Sequence, residues 1–425
     1  MTEQTPKSLR LAIGIFGRMN VGKSSFLNYL CGQNVAVTSS IAGTTTDAVE
    51  KAVELLPLGP VLLLDTAGID DVSSLSVKRR GKTENIFERA EIFVCVAEPD
   101  IWTQWEVQIE AEAKKRGRPL IIVINQSDKR LPQPDFLKNC SNRTPLVMSC
   151  SSIDKSGREA CIASFTSLCI KAIKEKTETH IPLIGDLLPA GGVVVLVVPI
   201  DLQAPQGRLI LPQIQTIRDA LDNDAAAIVV KEREYSHFLK LLNRPPDLVV
   251  CDSQAVFKTV ADTPPSVPCT TFSILFSRYK GDLNEQVRGC AAIDTLKNGD
   301  KVLIAEACSH HALADDIGRV KIPRWLRSYT GADLIIDVSS GRDYPDNLQE
   351  YSLIIHCGSC MLTRHETIGG ILRARNLGVP ITNYGLCIAM VQGVLKRALS
   401  PFPAALDAFE IYSRGDSRHF RRITF

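Results

Sequence analysis

The sequence predicts an α/β protein with mainly parallel sheets, arranged as three consecutive blocks. Short apolar runs alternate along the chain with stretches of helical spacing, and this alternation is typical of strands joined through helices. A chain of 425 residues is longer than the roughly 100–200 residues that one hydrophobic core usually serves. We therefore expect a larger first domain, residues 1–178, followed by two smaller α/β domains, residues 179–265 and 266–425.

Each block contains its own predicted strands. In the first block they are residues 10–16, 49–55, 61–65, 92–96, 119–125 and 145–149, followed by a helix over 155–176. In the second block they are residues 191–200, 225–230 and 247–251, and prolines 264, 265 and 268 mark its end. In the third block they are residues 302–307, 334–338, 353–356 and 379–382.

Composition narrows the classes of protein to consider. The formal net charge is +2, so charge does not imply a nucleic acid partner. Residues 1–10 resemble neither a secretory signal nor a transit peptide, and the longest apolar run, 191–200, is shorter than the roughly 20 residues that cross a membrane. We expect a cytoplasmic protein without a membrane partner. Its 13 cysteines favour metal binding over complete disulfide pairing.

The first motif is Gly17-Arg18-Met19-Asn20-Val21-Gly22-Lys23-Ser24, which matches the phosphate-binding pattern G-x-x-x-x-G-K-S. It follows a predicted strand and opens a predicted helix, as this pattern requires. Backbone amides of such a loop surround phosphates, while Lys23 and Ser24 reach the β- and γ-phosphates and Mg²⁺. The predicted nucleotide-binding residues here are Gly17, Asn20, Val21, Gly22, Lys23, Ser24 and Ser25.

Three further segments occur in the order that a GTPase requires. Asp65-Thr66-Ala67-Gly68 ends a predicted strand, the segment 43–47 supplies switch-loop hydroxyls, and Asn125-Gln126-Ser127-Asp128 provides the N-x-x-D pair for guanine. The carboxylate of Asp128 is expected to accept hydrogen bonds from the base. The predicted catalytic residues are Lys23, Thr45, Asp65 and Gly68. The predicted magnesium ligands are Ser24, Thr45 and Asp65.

Together these residues predict a P-loop GTPase domain that resembles the potassium-stimulated families of MnmE and Era. The resemblance implies that Asn20 helps to bind K⁺, and that Ser149 and Cys150 belong to the guanine-contacting loop. Two positions depart from the pattern. Gln126 replaces the usual lysine, which predicts weakened nucleotide affinity, and Ile69 stands where Ras-like proteins have a glutamine. Hydrolysis is therefore expected to be slow and stimulated by K⁺.

The third block carries a second constellation. Cys308-Ser309-His310 follows one predicted strand, and His356-Cys357-Gly358-Ser359-Cys360 follows another. Because parallel strand ends lie side by side, the two loops can converge and bring three thiolates to one point. From the residues alone, zinc and an iron–sulfur cluster fit equally well. A disulfide oxidoreductase fits less well, since no thioredoxin-like pattern surrounds the motif.

The pattern C-x-H followed by H-C-x-x-C, behind a GTPase of this kind, resembles the HydF family of iron–iron hydrogenase maturation factors. The resemblance implies a P-loop GTPase domain over residues 1–178, a dimerisation domain over 179–265 and a cluster-binding domain over 266–425. It also implies that Cys308, Cys357 and Cys360 ligate a 4Fe–4S cluster, with His310 or His356 among the candidates for the fourth ligand. The fourth ligand itself is left open.

The resemblance further implies a function as a GTP-hydrolysing scaffold or carrier. Its cofactors would be GTP, Mg²⁺, K⁺ and the 4Fe–4S cluster, and it would act as a homodimer. The radical-SAM maturases HydE and HydG would load it, and an immature iron–iron hydrogenase would receive a 2Fe precursor from it. The alternatives are an RNA-directed, Era-like GTPase and a GTPase with a structural zinc site.

Overall fold

Two structural units divide the chain, residues 1–179 and residues 180–425. The computed structural model describes residues 10–32, 49–65, 84, 86–175, 182–199, 209–307, 316–341, 344–345, 347–358 and 362–413. In these ranges no helix combines the length and the apolar character needed to cross a membrane. Both units are α/β, which confirms the predicted fold class.

The first unit is built on a six-stranded sheet of order β2-β3-β1-β4-β5-β6. Its strands are β1 (Leu11–Phe16), β2 (Val49–Leu55), β3 (Gly59–Asp65), β4 (Ile92–Ala97), β5 (Leu120–Ile124) and β6 (Val147–Ser149). Only β2 runs antiparallel to its neighbour, and the other pairs are parallel. The helices around it are α1 (Lys23–Cys31), α2 (Gln104–Lys115), α3 (Pro134–Arg143) and α4 (Arg158–Glu175).

The central strands of this sheet are apolar on both faces. In β1, Ile13 and Ile15 enter one hydrophobic core, whereas Ala12 and Phe16 enter the core on the opposite face. Strands covered by helices on both sides read as nearly continuous apolar runs. The sequence LAIGIF of β1 therefore forms a buried strand, and the phosphate-binding loop begins directly after its last residue.

The second unit contains two four-stranded parallel sheets. The first has the order β10-β9-β7-β8, and the second has the order β12-β11-β13-β14. The first sheet consists of β7 (Val193–Val198), β8 (Ala226–Lys231), β9 (Leu248–Cys251) and β10 (Cys269–Thr271). The second consists of β11 (Lys301–Glu306), β12 (Ile335–Ser340), β13 (Leu353–His356) and β14 (Ile381–Asn383).

Helices connect and cover these two sheets. They are α5 (Leu211–Asp222), α6 (Tyr235–Leu239), α7 (Val256–Asp262), α8 (Phe272–Lys280), α9 (Leu283–Ala291), α10 (Ile322–Thr330), α11 (Arg364–Asn376), α12 (Tyr384–Val391), α13 (Leu395–Ala398) and α14 (Pro403–Ser413). Short 3₁₀ turns cover Gly185–Leu187, Ser253–Ala255, Ala292–Thr295 and Leu348–Glu350, and a π-helical turn covers Ile317–Lys321. One hydrophobic core contains residues of both sheets, for example Val195 and Ile304.

The sheets bear on two predictions for the second block, the buried strand in residues 191–200 and the end of the block at residue 265. The apolar run 191–200 contains β7, which lies between β9 and β8 inside its sheet. Burial inside the sheet therefore accounts for its apolar character. Strand β10 pairs with β9 of the same sheet, although it follows residue 265, where we expected the block to end. The domain boundary itself stays a prediction.

Gly289 tests the packing of α9 against β14. A Cβ at this residue would stand 2.0 Å from the carbonyl oxygen of Ile381 and 2.5 Å from its carbonyl carbon. Backbone atoms cannot rotate away, so Gly289→Ala should lower the free energy of unfolding by roughly 1–3 kcal/mol. Urea titration measures this loss of unfolding free energy. Hydrogen exchange of peptides over residues 283–291 and 381–383 shows whether the loss arises at the contact between α9 and β14.

Gly369 provides the matched control, because it is also helical but a Cβ there would meet no atom within 4 Å. Gly369→Ala should leave stability unchanged or raise it by roughly 0.5–1 kcal/mol through helix propensity. A Gly289→Ala chain as stable as the unsubstituted one would contradict the packing described above.

Candidate functional site

The phosphate-binding loop requires its two glycines for steric reasons. Gly17 and Gly22 have φ values of 148° and 88°, which residues other than glycine rarely adopt. A Cβ at Gly17 would lie 2.3 Å from the carbonyl oxygen of Val96, and a Cβ at Gly22 would lie 2.4 Å from Nδ2 of Asn125. The loop can therefore pass close to β4 and to the predicted guanine-binding segment 125–128 only with glycine at both positions.

Helix α1 begins at Lys23, directly after this loop. Lys23 is buried, and its Nζ donates to the carbonyl oxygens of Gly17 and Arg18, both at 2.6 Å. Ser24 and Ser25 lie in the first turn of the helix and are exposed. Unpaired amides at a helix N-terminus attract phosphate, and the ammonium group adds a positive charge beside them. The strand, the loop and the helix follow one another as the sequence motif requires, and the phosphate-binding roles of Lys23, Ser24 and Ser25 stay predictions.

Arg18 occupies a variable position of the motif, and its side chain holds the loop in place through two ion pairs. Its Nε donates to Oε1 of Glu106 at 2.8 Å, and its Nη2 donates to Oε2 of Glu98 at 3.0 Å. Burial alone would raise the pKa of Glu106, but hydrogen bonds from Thr103 and Arg18 outweigh it and lower that pKa. The fully buried Glu106 carboxylate therefore stays charged and holds Arg18. The motif gave no signal for this contact, because position 18 accepts any residue.

Asn125 joins the phosphate-binding loop to the predicted guanine-binding loop, residues 149–152. Its Nδ2 donates to the carbonyl oxygen of Val21 at 3.0 Å. Its Oδ1 accepts from the backbone N–H and the hydroxyl of Ser152, at 3.1 and 2.7 Å. The side chain is buried, so these hydrogen bonds fix both loops with respect to β5.

Asp128 is held by the same loop. The hydroxyl of Ser151 donates to Oδ1 of Asp128 at 2.6 Å. Backbone bonds from Cys150 to Ile124 at 2.9 Å, and from Ser127 to Cys150 at 3.2 Å, connect the loop to the end of β5. The predicted guanine-binding residues Asn125, Asp128 and Cys150 are thus brought together, with Ser149 at the end of the adjacent strand β6.

Gln126 forms a contact that the sequence did not predict. Its Nε2 donates to the carbonyl oxygen of Asn20 at 2.7 Å, and its Oε1 accepts from Nζ of Lys129 at 2.9 Å. Asn20 and Gln126 both have positive φ, 66° and 61°. The glutamine amide therefore supplies a donor to the phosphate-binding loop in the place of the usual lysine.

The magnesium side of the site is described only in part. Asp65 is buried at the end of β3, where it lies opposite Ile15 in the parallel register with β1. The pairing places this carboxylate at the same sheet edge as the phosphate-binding loop. Thr45, Gly68 and Ile69 lie outside the described residues, so their predicted roles stay predictions.

In the second unit, the ends of β11 and β13 bring the predicted cysteine loops together. The register pairs Ala305 with His356. The backbone N–H of Cys357 donates to the carbonyl oxygen of Ala305 at 2.9 Å, and the N–H of Ala307 donates to Sγ of Cys357 at 3.3 Å. Because Ala307 immediately precedes Cys308, the described parts of the two loops adjoin.

His356 faces a buried polar chain. Its Nδ1 donates to the carbonyl oxygen of Cys357 at 2.6 Å, and its Nε2 accepts from the side-chain amide of Gln286, which in turn accepts at Oε1 from the hydroxyl of Ser277. This proton assignment follows from the partners. Burial lowers the pKa of His356 to about 4, so the ring is neutral at ordinary pH.

The other sheet of the second unit also reaches this place. The hydroxyl of Ser253, after β9, donates to that of Ser273, after β10, at 3.0 Å. A Cβ at Gly358 would lie 3.9 Å from Oγ of Ser273. Asn383, at the end of β14, donates from Nδ2 to the carbonyl oxygen of Ser273 at 3.3 Å. The carboxyl ends of both sheets therefore meet beside Cys357, which no sequence pattern indicated.

Cys308, His310 and Cys360 lie outside the described residues. Within the described ranges, no group of three or more histidine, cysteine, aspartate or glutamate side chains is placed to hold a metal ion. Among the predicted cluster ligands, the described residues therefore include Cys357 and the candidate fourth ligand His356.

Comparison with known families covers all three blocks. The description "Hydrogen maturase F dimerization domain" matches residues 183–281, and "Hydrogen maturase F tetramerization domain" matches residues 284–401. The chain belongs to the HydF family. In addition, "50S ribosome-binding GTPase" matches residues 12–126, so the first unit of this family member is a GTPase domain. Oligomerisation is supported by the two family domains.

Curated relatives resemble the first unit. The tRNA modification GTPase MnmE of Synechococcus sp. strain JA-3-3Ab is 41% identical over 121 residues, which cover 27% of this chain and 25% of MnmE. The GTPase Der of Lachnoclostridium phytofermentans is 32% identical over 145 residues, 33% of each chain. The chain thus spans a quarter to a third of these relatives. The crystal structure of Era from Aquifex aeolicus has a TM-score of 0.31 at 18% identity, and the match covers 55% of this chain and 98% of Era.

Replacing Gln126 tests the contact with Asn20. Gln126→Leu removes one hydrogen bond to the phosphate-binding loop, which is typically worth about 0.5–1.5 kcal/mol. The affinity for GDP should therefore fall by roughly two- to tenfold, whereas Gln126→Lys, which restores the usual residue, should not lower it. Titration with a fluorescent GDP analogue measures both. The exposed Lys138→Gln on α3 serves as a control, and equal affinity of the Leu and Lys variants would contradict the role assigned to the amide.

Proposed function

We propose that this HydF family member binds and hydrolyses GTP on its first unit, and that its second unit holds a 4Fe–4S cluster and carries a 2Fe precursor to immature iron–iron hydrogenase. The observation that carries the proposal is the hydrogen bond from Ala307 to Sγ of Cys357. It joins two adjacent strand ends that bear the C-x-H and H-C-x-x-C motifs.

The nucleotide chemistry follows from the residues of the first unit. Lys23 and the amides of α1 would hold the phosphates, and Ser24, Asp65 and Thr45 would hold Mg²⁺. Gly68 would contact the γ-phosphate through its amide, and Asn20 would take part in K⁺ binding. With Ile69 after Gly68, no glutamine stands there to orient water, so hydrolysis would be slow without K⁺ or a partner. Asp128 would select guanine.

The cysteines of the second unit suit an iron–sulfur cluster. Cys308, Cys357 and Cys360 would be its ligands, and the cluster would supply an iron position that is open to a further metal fragment. The amide of Ala307 already donates to Sγ of Cys357, and amide donors stabilise thiolates and tune the potential of clusters. The described sulfur environment therefore fits a ligating thiolate.

His356 would act on the loop and would not ligate iron. Both ring nitrogens have partners, the carbonyl oxygen of Cys357 and the amide of Gln286. A ligating imidazole must offer one nitrogen lone pair to the metal. The fourth iron would then be left to His310 or to an exogenous group, and His356 would position the backbone of Cys357.

The proposed function also involves partner proteins and an oligomer. HydE and HydG would load the second unit, and the protein would work as a dimer or a higher oligomer in the cytoplasm. We place the boundary between the dimerisation and cluster-binding domains after α8, because β10 belongs to the first sheet of the second unit and the family descriptions meet between residues 281 and 284.

Two alternatives make different predictions. A structural zinc site would use the same thiolates but would transfer nothing. An RNA-directed GTPase is suggested by the description matched to residues 12–126, yet the remaining matched residues, 183–281 and 284–401, carry HydF descriptions. Salt-dependent binding of RNA by the whole chain would favour that alternative.

Anaerobic reconstitution with iron and sulfide tests the cluster. The reduced wild-type chain should give the EPR signal of a 4Fe–4S cluster, and the variant with Cys308, Cys357 and Cys360 all replaced by alanine should lose it. Stoichiometric zinc without a cluster signal would instead leave a zinc-stabilised GTPase and remove the case for a carrier.

Two substitutions separate positioning from ligation at His356. Gln286→Leu removes the amide donor but leaves the imidazole, and His356→Leu removes the ring. Because both disturb the support of Cys357, both should retain the 4Fe–4S signal and release iron to a chelator several-fold faster. Appearance of a 3Fe–4S signal in His356→Leu alone would show that the imidazole is a ligand. Thr295→Ala, on the exposed end of the same helical region, serves as a control.

A further inference from the structure

A cavity of about 540 Å³ lies in the second unit, and its lining residues include none of those predicted for the nucleotide or the cluster. It is bordered by the end of α8, the start of α9, one face of α11 and the start of α14. Its lining comes from both HydF segments, 183–281 and 284–401. Sites for small molecules usually have volumes of roughly 300–1,000 Å³ and often lie where domains meet. The cavity therefore has the size and the position of a ligand site.

One face of α11 forms a wall of this cavity. Arg364, Ile368, Ile371, Leu372 and Arg375 all line it, and their spacing of three or four residues places them on the same side of a helix. The two arginines are about 16 Å apart along the helix axis. The wall therefore carries a guanidinium group at each end and apolar side chains between them.

The acidic residues of the lining are already engaged. Both carboxylate oxygens of Asp186 accept from the guanidinium group of Arg278. Oδ1 of Asp282 caps α9 by accepting from the backbone N–H of Glu285 at 3.0 Å. Oε2 of Glu285 pairs with Nη1 of Arg288 at 3.3 Å. The carboxylates of the cavity therefore serve other partners than the two arginines of α11.

These two arginines have no carboxylate partner among the residues that the structure describes. Arg364 donates from Nη1 to the carbonyl oxygen of Tyr279 at 2.7 Å, which leaves further N–H donors of its guanidinium group available. Lys280 donates from Nζ to the carbonyl oxygen of Leu362 at 2.9 Å. Because these two bonds hold the start of α11 against the end of α8, this side of the cavity is formed before a ligand binds.

We propose that the cavity binds a linear organic dicarboxylate. One carboxylate would pair with Arg364 and the other with Arg375, and the apolar chain between them would pack against Ile368 and Leu372. A planar guanidinium group matches a carboxylate through two parallel N–H···O bonds. Arginine side chains can reach inward from both ends, so the two carboxylates need not be as far apart as the two Cα atoms. A monocarboxylate would leave one guanidinium group without an anion.

Titration calorimetry of the full chain with suberate and with octanoate tests this proposal. The two acids have the same number of carbons, and only suberate has a carboxylate at each end. We expect saturable binding of suberate and roughly tenfold weaker binding of octanoate, because octanoate lacks one set of charge-assisted hydrogen bonds. Bound suberate should also slow hydrogen exchange in peptides over residues 278–287 and 364–376, which locates the ligand.

Two arginine variants and a matched control assign the binding. Arg364→Gln and Arg375→Gln should each lower the affinity for suberate by roughly tenfold. Arg324→Gln, at an exposed position of α10 outside the cavity, should leave it unchanged. Arg364→Gln also removes the bond to Tyr279, whereas Arg375 is exposed, so Arg375→Gln separates binding from folding. Absence of saturable suberate binding, equal affinity for octanoate, or unchanged affinity in Arg375→Gln would overturn the proposal.

Discussion

The parallel pairing of strands is the constraint on which both sites depend. In a parallel sheet, every strand ends at the same edge, so loops that are distant in sequence become neighbours. In the first unit this edge gathers the loop after β1, Asp65 at the end of β3 and Asn125 after β5. In the second unit, adjacent β11 and β13 bring Ala307 to Cys357.

Buried polar side chains then fix these loops in place. Asn125 connects the phosphate-binding loop with the guanine-binding loop, and the carboxylate of Glu106 holds Arg18. In the second unit, His356 donates to the carbonyl oxygen of Cys357 and accepts from the side-chain amide of Gln286. Leaving a buried polar group without its partner lowers the free energy of unfolding. Movement of any of these loops away from its buried side chain would therefore destabilise the unit.

Much of this could be predicted from sequence because the signals were local. The pattern around Gly17–Ser24 specifies its strand, turn and helix together, and apolar runs such as β1 and β4 indicate buried strands. The contacts of Arg18, Gln126 and His356 could not be predicted, because their partners lie 70 or more residues away in sequence. Strand β10 was missed because three residues between prolines and a helix carry little periodic signal.

We propose that nucleotide chemistry and cluster binding belong to separate units with separate residues. The most direct measurement compares GTP turnover and iron content in Lys23→Ala and Cys357→Ala after anaerobic reconstitution. Lys23→Ala should lose turnover and keep the wild-type iron content, whereas Cys357→Ala should lose iron and keep turnover. Loss of both properties in either variant would contradict the account.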